Sequence, residues 1–100
     1  MLAGGKGERL RPLTNRMPKC LVSIKGAALL GIWLDIFARQ GIEDVLVNVS
    51  QFPEQVEHFV DTRGGRAPRV HIVREKVPIG SAGTVAANRA FVNGEESFWI

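Results

Sequence analysis

The chain has a single cysteine, Cys20, among its 100 residues and cannot close an internal disulfide. That excludes the disulfide-stapled class of small extracellular domain and suits a reducing compartment. Cys20 reads as a small packed hydrophobe. His58 and His71 are the only histidines, and neither sits at a metal-ligand spacing from Cys20 or from the other, so no metal ligand is assigned. No nucleophile or carboxylate pairs with them by spacing either, so both read as structural. No apolar run approaches the ~20 residues that cross a bilayer. Glycines and charges begin at once at the amino end, which does not fit a signal peptide. A cytoplasmic protein without a membrane partner is therefore expected. There is no internal repeat and no low-complexity stretch. The apolar fraction of 45% is enough for one core, and the length allows one domain at most. A domain of this size buries somewhat under ~70% of its unfolded surface.

What the chain does have is a concentration of glycine and positive charge near its start. Residues 1–25 hold Lys6, Arg9, Arg11, Arg16, Lys19 and Lys25 against Glu8 alone, a net +5. The remaining residues are net −2, so the overall +3 comes from one segment. The run Leu2-Ala3-Gly4-Gly5-Lys6-Gly7-Glu8-Arg9-Leu10-Arg11-Pro12-Leu13-Thr14 follows an apolar stub and precedes Pro18-Lys19. Glycines let backbone N–H groups approach an anion, and cations neutralise it, so the loop suits a triphosphate. It is not a P-loop: Gly5-Lys6-Gly7-Glu8 has neither the spacing nor the Ser/Thr. It is not a dinucleotide fingerprint either, because Leu10 stands where the third glycine belongs. Nucleic acid is a poor partner, since no aromatics interleave the basic residues.

Apolar periodicity predicts a strand tail at Met1–Ala3, then a loop to about Pro18 and a short extended piece from Cys20 to Ile24. A helix is predicted from Ala27 to about Gln40, with Leu29, Leu30, Trp33, Ile36 and Phe37 at helical spacing and Gly41 as its stop. Asp44–Val49 reads as a buried strand. Pro53 opens the next helix, which presents Val56, Phe59 and Val60 and ends at Gly64-Gly65. Arg69–Arg74 is the following strand, Gly83 to about Phe91 a third helix, and Ser97–Ile100 the opening of another strand. Trp33 and Trp99 fit core positions. Alternating strands and helices imply a Rossmann-like three-layer α/β/α sandwich with a mainly parallel sheet. Ligands of such sheets bind beyond the carboxyl ends of the strands, where both glycine-rich blocks fall.

The N-terminal run, with Pro18-Lys19, resembles the signature of the sugar-phosphate nucleotidyltransferases, which join a nucleoside triphosphate to a sugar 1-phosphate. Pro78-Ile79-Gly80-Ser81-Ala82-Gly83-Thr84 resembles a second element of that family, about sixty residues on. Glu8 stands where Thr is commoner, Ser23 and Ala28 where Pro is common. The resemblance covers the whole chain. It implies that residues 1–100 are the incomplete, N-terminal nucleotide-binding part of one nucleotidyltransferase domain. The aspartates that bind Mg²⁺ in the family would then lie beyond residue 100, and the chain by itself is expected to be inactive. An open sheet edge would also permit self-association as a homo-oligomer.

By the same resemblance Arg9 is the catalytic arginine that grips the leaving pyrophosphate, and Lys19 contacts the phosphates of both substrates. Gly5, Lys6 and Gly7 offer backbone N–H groups to the triphosphate. Leu2, Ala3, Gly4 and Gly80 hold the base, with Ser81 beside them where Thr is common. Glu75 could accept hydrogen bonds from a guanine N1–H and amino group, or could equally be a strand-end charge facing water. The Gly4-Gly5 pair resembles guanylyl, thymidylyl and adenylyl members, whereas Glu8 also occurs in sugar-acid uridylyl members. The expectation taken forward is GTP with a sugar 1-phosphate. The alternative is a stand-alone nucleotide-binding or regulatory domain without catalysis.

Overall fold

In the computed structural model, which describes residues 1–100, a small hairpin of Ser23–Ile24 (β1) and Ala27–Ala28 (β2) leads into helix α1 (Leu29–Arg39). Strand β3 (Asp44–Val49), helix α2 (Pro53–Thr62), strand β4 (Arg69–Arg74) and helix α3 (Gly80–Ala87) follow. β3 and β4 run parallel in register from Asp44 opposite Arg69 to Val49 opposite Arg74. Leu2 forms a parallel bridge with Asn48 on the other side of β3, so Met1–Ala3 is the sheet's third contributor, as expected.

Side chains alternate across a strand, so Val45, Val47 and Val49 share one face of β3. Leu30 and Leu34, one turn apart on α1, meet that face together with Val56 of α2 and Cys20, and these seven residues form the buried core. Val70 and Ile72 of β4, in register with Val45 and Val47, extend it. Arg63 ties α2 to α1 through Asp35 at 3.0 Å, and Arg74 at the end of β4 reaches Glu54 and Glu57 of α2. The opposite face of β3 carries Asn48, which meets Thr84 of α3, and His71 of β4 packs edge-on against Phe91. Helices thus cover both faces of a parallel sheet, the three-layer arrangement expected from the alternation. No helix is long and apolar enough to cross a membrane.

The ends of the elements follow local chemistry. Gly41 N–H bonds Ala38 O and Ile42 N–H bonds Phe37 O, the paired closure that stops α1 where the glycine predicts. α1 begins two residues later than expected. Lys25 and Gly26 both take positive φ, which folds Ala27–Ala28 back on Ser23–Ile24 as a tight hairpin. Of the piece expected to be extended from Cys20 to Ile24, only Ser23–Ile24 is a strand; its start belongs to a 3-10 turn over Lys19–Leu21, closed by Leu21 N–H on Pro18 O. α3 starts at Gly80, three residues before the expected Gly83, and a separate 3-10 turn spans Arg89–Val92.

Ser97–Ile100 is not a strand. A strand exists through its ladder, and these residues have no neighbouring strand, so apolar composition alone does not extend them. Trp99 accordingly is not a core residue but is 70% exposed. Trp33 is also partly in solvent, leaning on Phe37 with ring centroids 5.8 Å apart, because it lies beside rather than on the Leu30–Leu34 stripe.

Candidate functional site

The carboxyl ends of β3 and β4 bring the two glycine-rich blocks together. Ala3 N–H donates to Asn48 Oδ1 at 2.8 Å, and Ser50 Oγ donates to Gly4 O at 2.6 Å. The Leu2–Gly4 segment is thus pinned to β3 by two side chains. Glu75 follows β4 directly, and its N–H donates to Val49 O at 2.7 Å, which fixes it beside the same strand end. The Thr84 hydroxyl, from the second block, donates to Glu75 Oε1 at 2.5 Å and accepts from Asn48 Nδ2 at 3.4 Å. One chain of hydrogen bonds therefore runs from the first block through Asn48 and Thr84 to Glu75.

Gly4 is glycine for reasons of space. A Cβ there would lie 2.7 Å from Asn48 Nδ2 and 3.4 Å from Glu75 Oε2. Gly7 is glycine for two reasons. Its φ of 65° is left-handed, and a Cβ would come within 2.8 Å of Thr14 Cγ2 and 3.3 Å of Lys19 Cβ. Thr14, buried, holds this turn by donating to Gly7 O at 2.7 Å. Gly5 meets nothing within 4 Å.

The loop's cations differ in their surroundings. Pro18 and Cys20 are buried, and the exposed Lys19 between them is held by the 3-10 turn at the base of Gly7. Burial pushes the Cys20 thiol up to about 11. Lys6, Arg9, Arg16 and Lys19 are exposed, and the side chain of none makes an ion pair or a hydrogen bond, which leaves four cations available to an anion. Arg11 instead faces Glu8 at 4.0 Å. Arg16 gives its backbone carbonyl to Gln55 Nε2, which moors the loop to α2.

Of the residues singled out in the sequence, Leu2, Ala3, Gly4 and Glu75 converge at one strand edge. Gly80 opens the helix that carries Thr84, and Ser81 is exposed in its first turn. Gly7 and Lys19 converge at the loop's base. Glu75 is half-buried, and its Oε1 is engaged by Thr84. Asn48, Ser50 and Thr84 are the contributors that sequence reasoning missed. Asn48 carried a signal, as an amide inside an otherwise apolar buried strand. The residues present do not fit a Mg²⁺ site. No three His, Cys, Asp or Glu side chains converge, and Glu75 stands as a single carboxylate already bonded to Thr84. An open cavity of about 570 Å³ between α2 and Leu21 is lined by none of these residues.

The whole chain, residues 1–100, matches the model of a family described as nucleotidyl transferase. It is similar to the N-acetylmuramate alpha-1-phosphate uridylyltransferase of Caulobacter vibrioides, with 36% identity over 110 residues that cover all of this chain and 46% of that protein. It is also similar to the mannose-1-phosphate guanylyltransferase of Mycobacterium tuberculosis, 35% identical over 86% of this chain and 24% of that protein. A third relative is the mannose-1-phosphate guanylyltransferase catalytic subunit beta of Dictyostelium discoideum, 29% identical over all of this chain and 28% of that protein. The chain thus spans less than half the length of each curated relative.

Proposed function

Because this chain belongs to the nucleotidyl transferase family, we propose that it forms the nucleotide-binding half of an enzyme acting on a sugar 1-phosphate. In that reaction an oxygen of the sugar phosphate bonds to the α-phosphorus of a nucleoside triphosphate. The bond from the α-phosphorus to the bridging oxygen breaks, and pyrophosphate leaves with that oxygen. The observation that carries this reading is the joining of the two glycine-rich blocks at one strand edge, beside a loop with four unpaired cations.

Charge on the phosphates dominates such a reaction, so positioning and electrostatics supply the catalysis. Backbone N–H groups of Gly5, Lys6 and Gly7 cradle the triphosphate. Arg9 takes the oxygens of the departing pyrophosphate. Lys19, a compact charge on a flexible stem, serves oxygens of both substrates. Leu2, Ala3, Gly4, Glu75, Gly80 and Ser81 receive the base. GTP is the favoured nucleotide on the Gly4-Gly5 pair, and two of the relatives above are named guanylyltransferases. Mg²⁺ belongs to this reading with carboxylate ligands outside residues 1–100. The reading also places the protein in the cytoplasm, with a second copy of the chain as a further partner through the open sheet edge.

The test is pyrophosphate release by the full-length protein with each nucleoside triphosphate and a panel of sugar 1-phosphates. Lys19→Ala and Arg9→Ala should each lower turnover by about 10²-fold or more, the scale of losing one preorganised charge contact. Both side chains are exposed and unpaired, so melting should barely move. Equal losses of turnover and stability would count against their catalytic roles. Nucleotide binding without turnover on any sugar phosphate would favour a regulatory domain.

A further inference from the structure

The hydrogen-bond chain beside Gly4 has a direction. Asn48 is 3% exposed, and its amide can be oriented in only one useful way. Ala3 N–H is a donor and must meet an oxygen, which places Oδ1 toward the first block. The amide NH₂ therefore faces Thr84, whose hydroxyl accepts from it. The single hydroxyl proton of Thr84 is then free to go onward, and it goes to Glu75 Oε1. Glu75 is thus held as an acceptor, with Oε1 engaged. Its other oxygen, Oε2, lies over the Gly4 Cα, 3.4 Å from where a Cβ would be.

From this direction we infer that Asn48, acting through Thr84, is a positioning residue that sets which nucleobases the site accepts. The inference rests on the nucleotide-binding reading above. An acceptor fixed over the glycine turn rewards a ligand that brings a ring N–H to it. Guanine has N1–H with an adjacent amino group, and uracil and thymine have N3–H. Adenine and cytosine have an unprotonated ring nitrogen on the corresponding edge, which would set lone pair against lone pair. A site built around a buried hydrogen-bond partner rejects the mismatched ligand far better than a site built on apolar contact. The class of substrate is therefore a nucleotide whose base carries a ring N–H. Gly4 contributes by absence, since any side chain there would fill the space above which Oε2 stands.

Two isosteric substitutions separate this role from simple support. Thr84→Val keeps the shape and removes the relayed proton. Asn48→Asp keeps an oxygen for Ala3 N–H but replaces the NH₂ by a second acceptor, which draws the Thr84 proton away from Glu75. Thr84→Ser retains the relay and serves as the rescue. Binding of GTP, UTP, ATP and CTP to the full-length protein is measured by calorimetric titration, alongside the melting temperature of each variant. The wild type should bind GTP or UTP at least about 100-fold more tightly than ATP or CTP, within the range that hydrogen-bond mismatch supports. Thr84→Val and Asn48→Asp should shrink that ratio by about tenfold or more, the scale of one lost hydrogen bond to a charged group. Thr84→Ser should keep it. In turnover, the loss should fall on KM for the nucleotide rather than on kcat, since the base is held alike in ground and transition states.

If both variants lower the melting temperature but leave the nucleotide ratio unchanged, Asn48 is mere support and the inference fails while nucleotide binding stands. A wild type that favours ATP also overturns it alone. A wild type that binds no nucleoside triphosphate overturns both readings. Should Thr84→Val not fold, Asn48→Asp against Thr84→Ser decides the same question.

Discussion

Adding one methyl group to Gly4 tests the architecture of the site most directly. In Gly4→Ala the new Cβ would sit 2.7 Å from Asn48 Nδ2, closer than such atoms tolerate. Asn48 cannot swing into water, because it is 3% exposed and lies between Ala3 N–H and Thr84 Oγ1. Displacing it strips a buried donor of its partner, which costs ~1–3 kcal/mol. Forcing a methyl into a filled space costs a further ~1–3 kcal/mol, so about 2–6 kcal/mol is expected in all. Gly5→Ala is the internal control. Nothing lies within 4 Å of its Cβ position and its φ is not left-handed, so the change removes only chain entropy from the unfolded state. That should stabilise by roughly 0.4–1 kcal/mol. Thermal melts of the full-length protein, followed by circular dichroism, should separate the two variants by on the order of 10 °C. A double variant adds the cause. If the clash is with the Asn48 amide, Asn48→Ala should relieve it, and Gly4→Ala with Asn48→Ala should be less damaging than the sum of the two. Equal melting of Gly4→Ala and Gly5→Ala, or strict additivity in the double variant, would refute the close approach of the two blocks.

Two further outcomes follow from titratable groups. Cys20, pushed up from 9.0 to about 11 by burial, should resist iodoacetamide at pH 8 in the folded protein and react once urea unfolds it. Its contribution to stability is full below pH 9 and is lost as pH rises through about 11, and labelling of the native state at the unfolded rate would contradict its burial. Hydrogen bonds from Arg69 and then His71 hold Asp44 at about 2, below its ordinary 3.8. The stability it lends is therefore present above pH 3.8 and is lost as pH falls through about 2, so Asp44→Asn should flatten the acid limb of urea midpoints measured over that window.

The features legible in the sequence were those written in short-range periodicity. Asp44–Val49 forms the buried strand, Gly41 stops a helix and Pro53 starts one, as their patterns predict, whereas of the helix set Leu29, Leu30, Trp33, Ile36 and Phe37 only Leu30 is fully buried, and its buried partner on α1 is Leu34. The departures come from interactions that periodicity does not encode. Lys25-Gly26 turns Ala27–Ala28 into a strand, because a positive φ at both positions redirects the chain. Ser97–Ile100 has the composition of a strand and no ladder to join, so Trp99 remains in solvent.

The same division runs through the candidate site. Lys19 and Gly7 enter the candidate site by resemblance to the family motif, and the geometry they share is local: a 3-10 turn after Pro18 and a left-handed residue before Glu8. Asn48 and Thr84 could not be read in that way, because their meaning lies in a contact across 36 residues of sequence. Asn48 did break the apolar run of β3, and a buried amide in such a run demands partners. Here the partners are the backbone of the first block and the hydroxyl of the second. The cost of burying that amide is offset only when both blocks are in place. Folding of this edge and assembly of the proposed base site are therefore one event. A substitution that loosens either block should weaken both stability and nucleotide choice, whereas one at exposed Lys19 should touch neither.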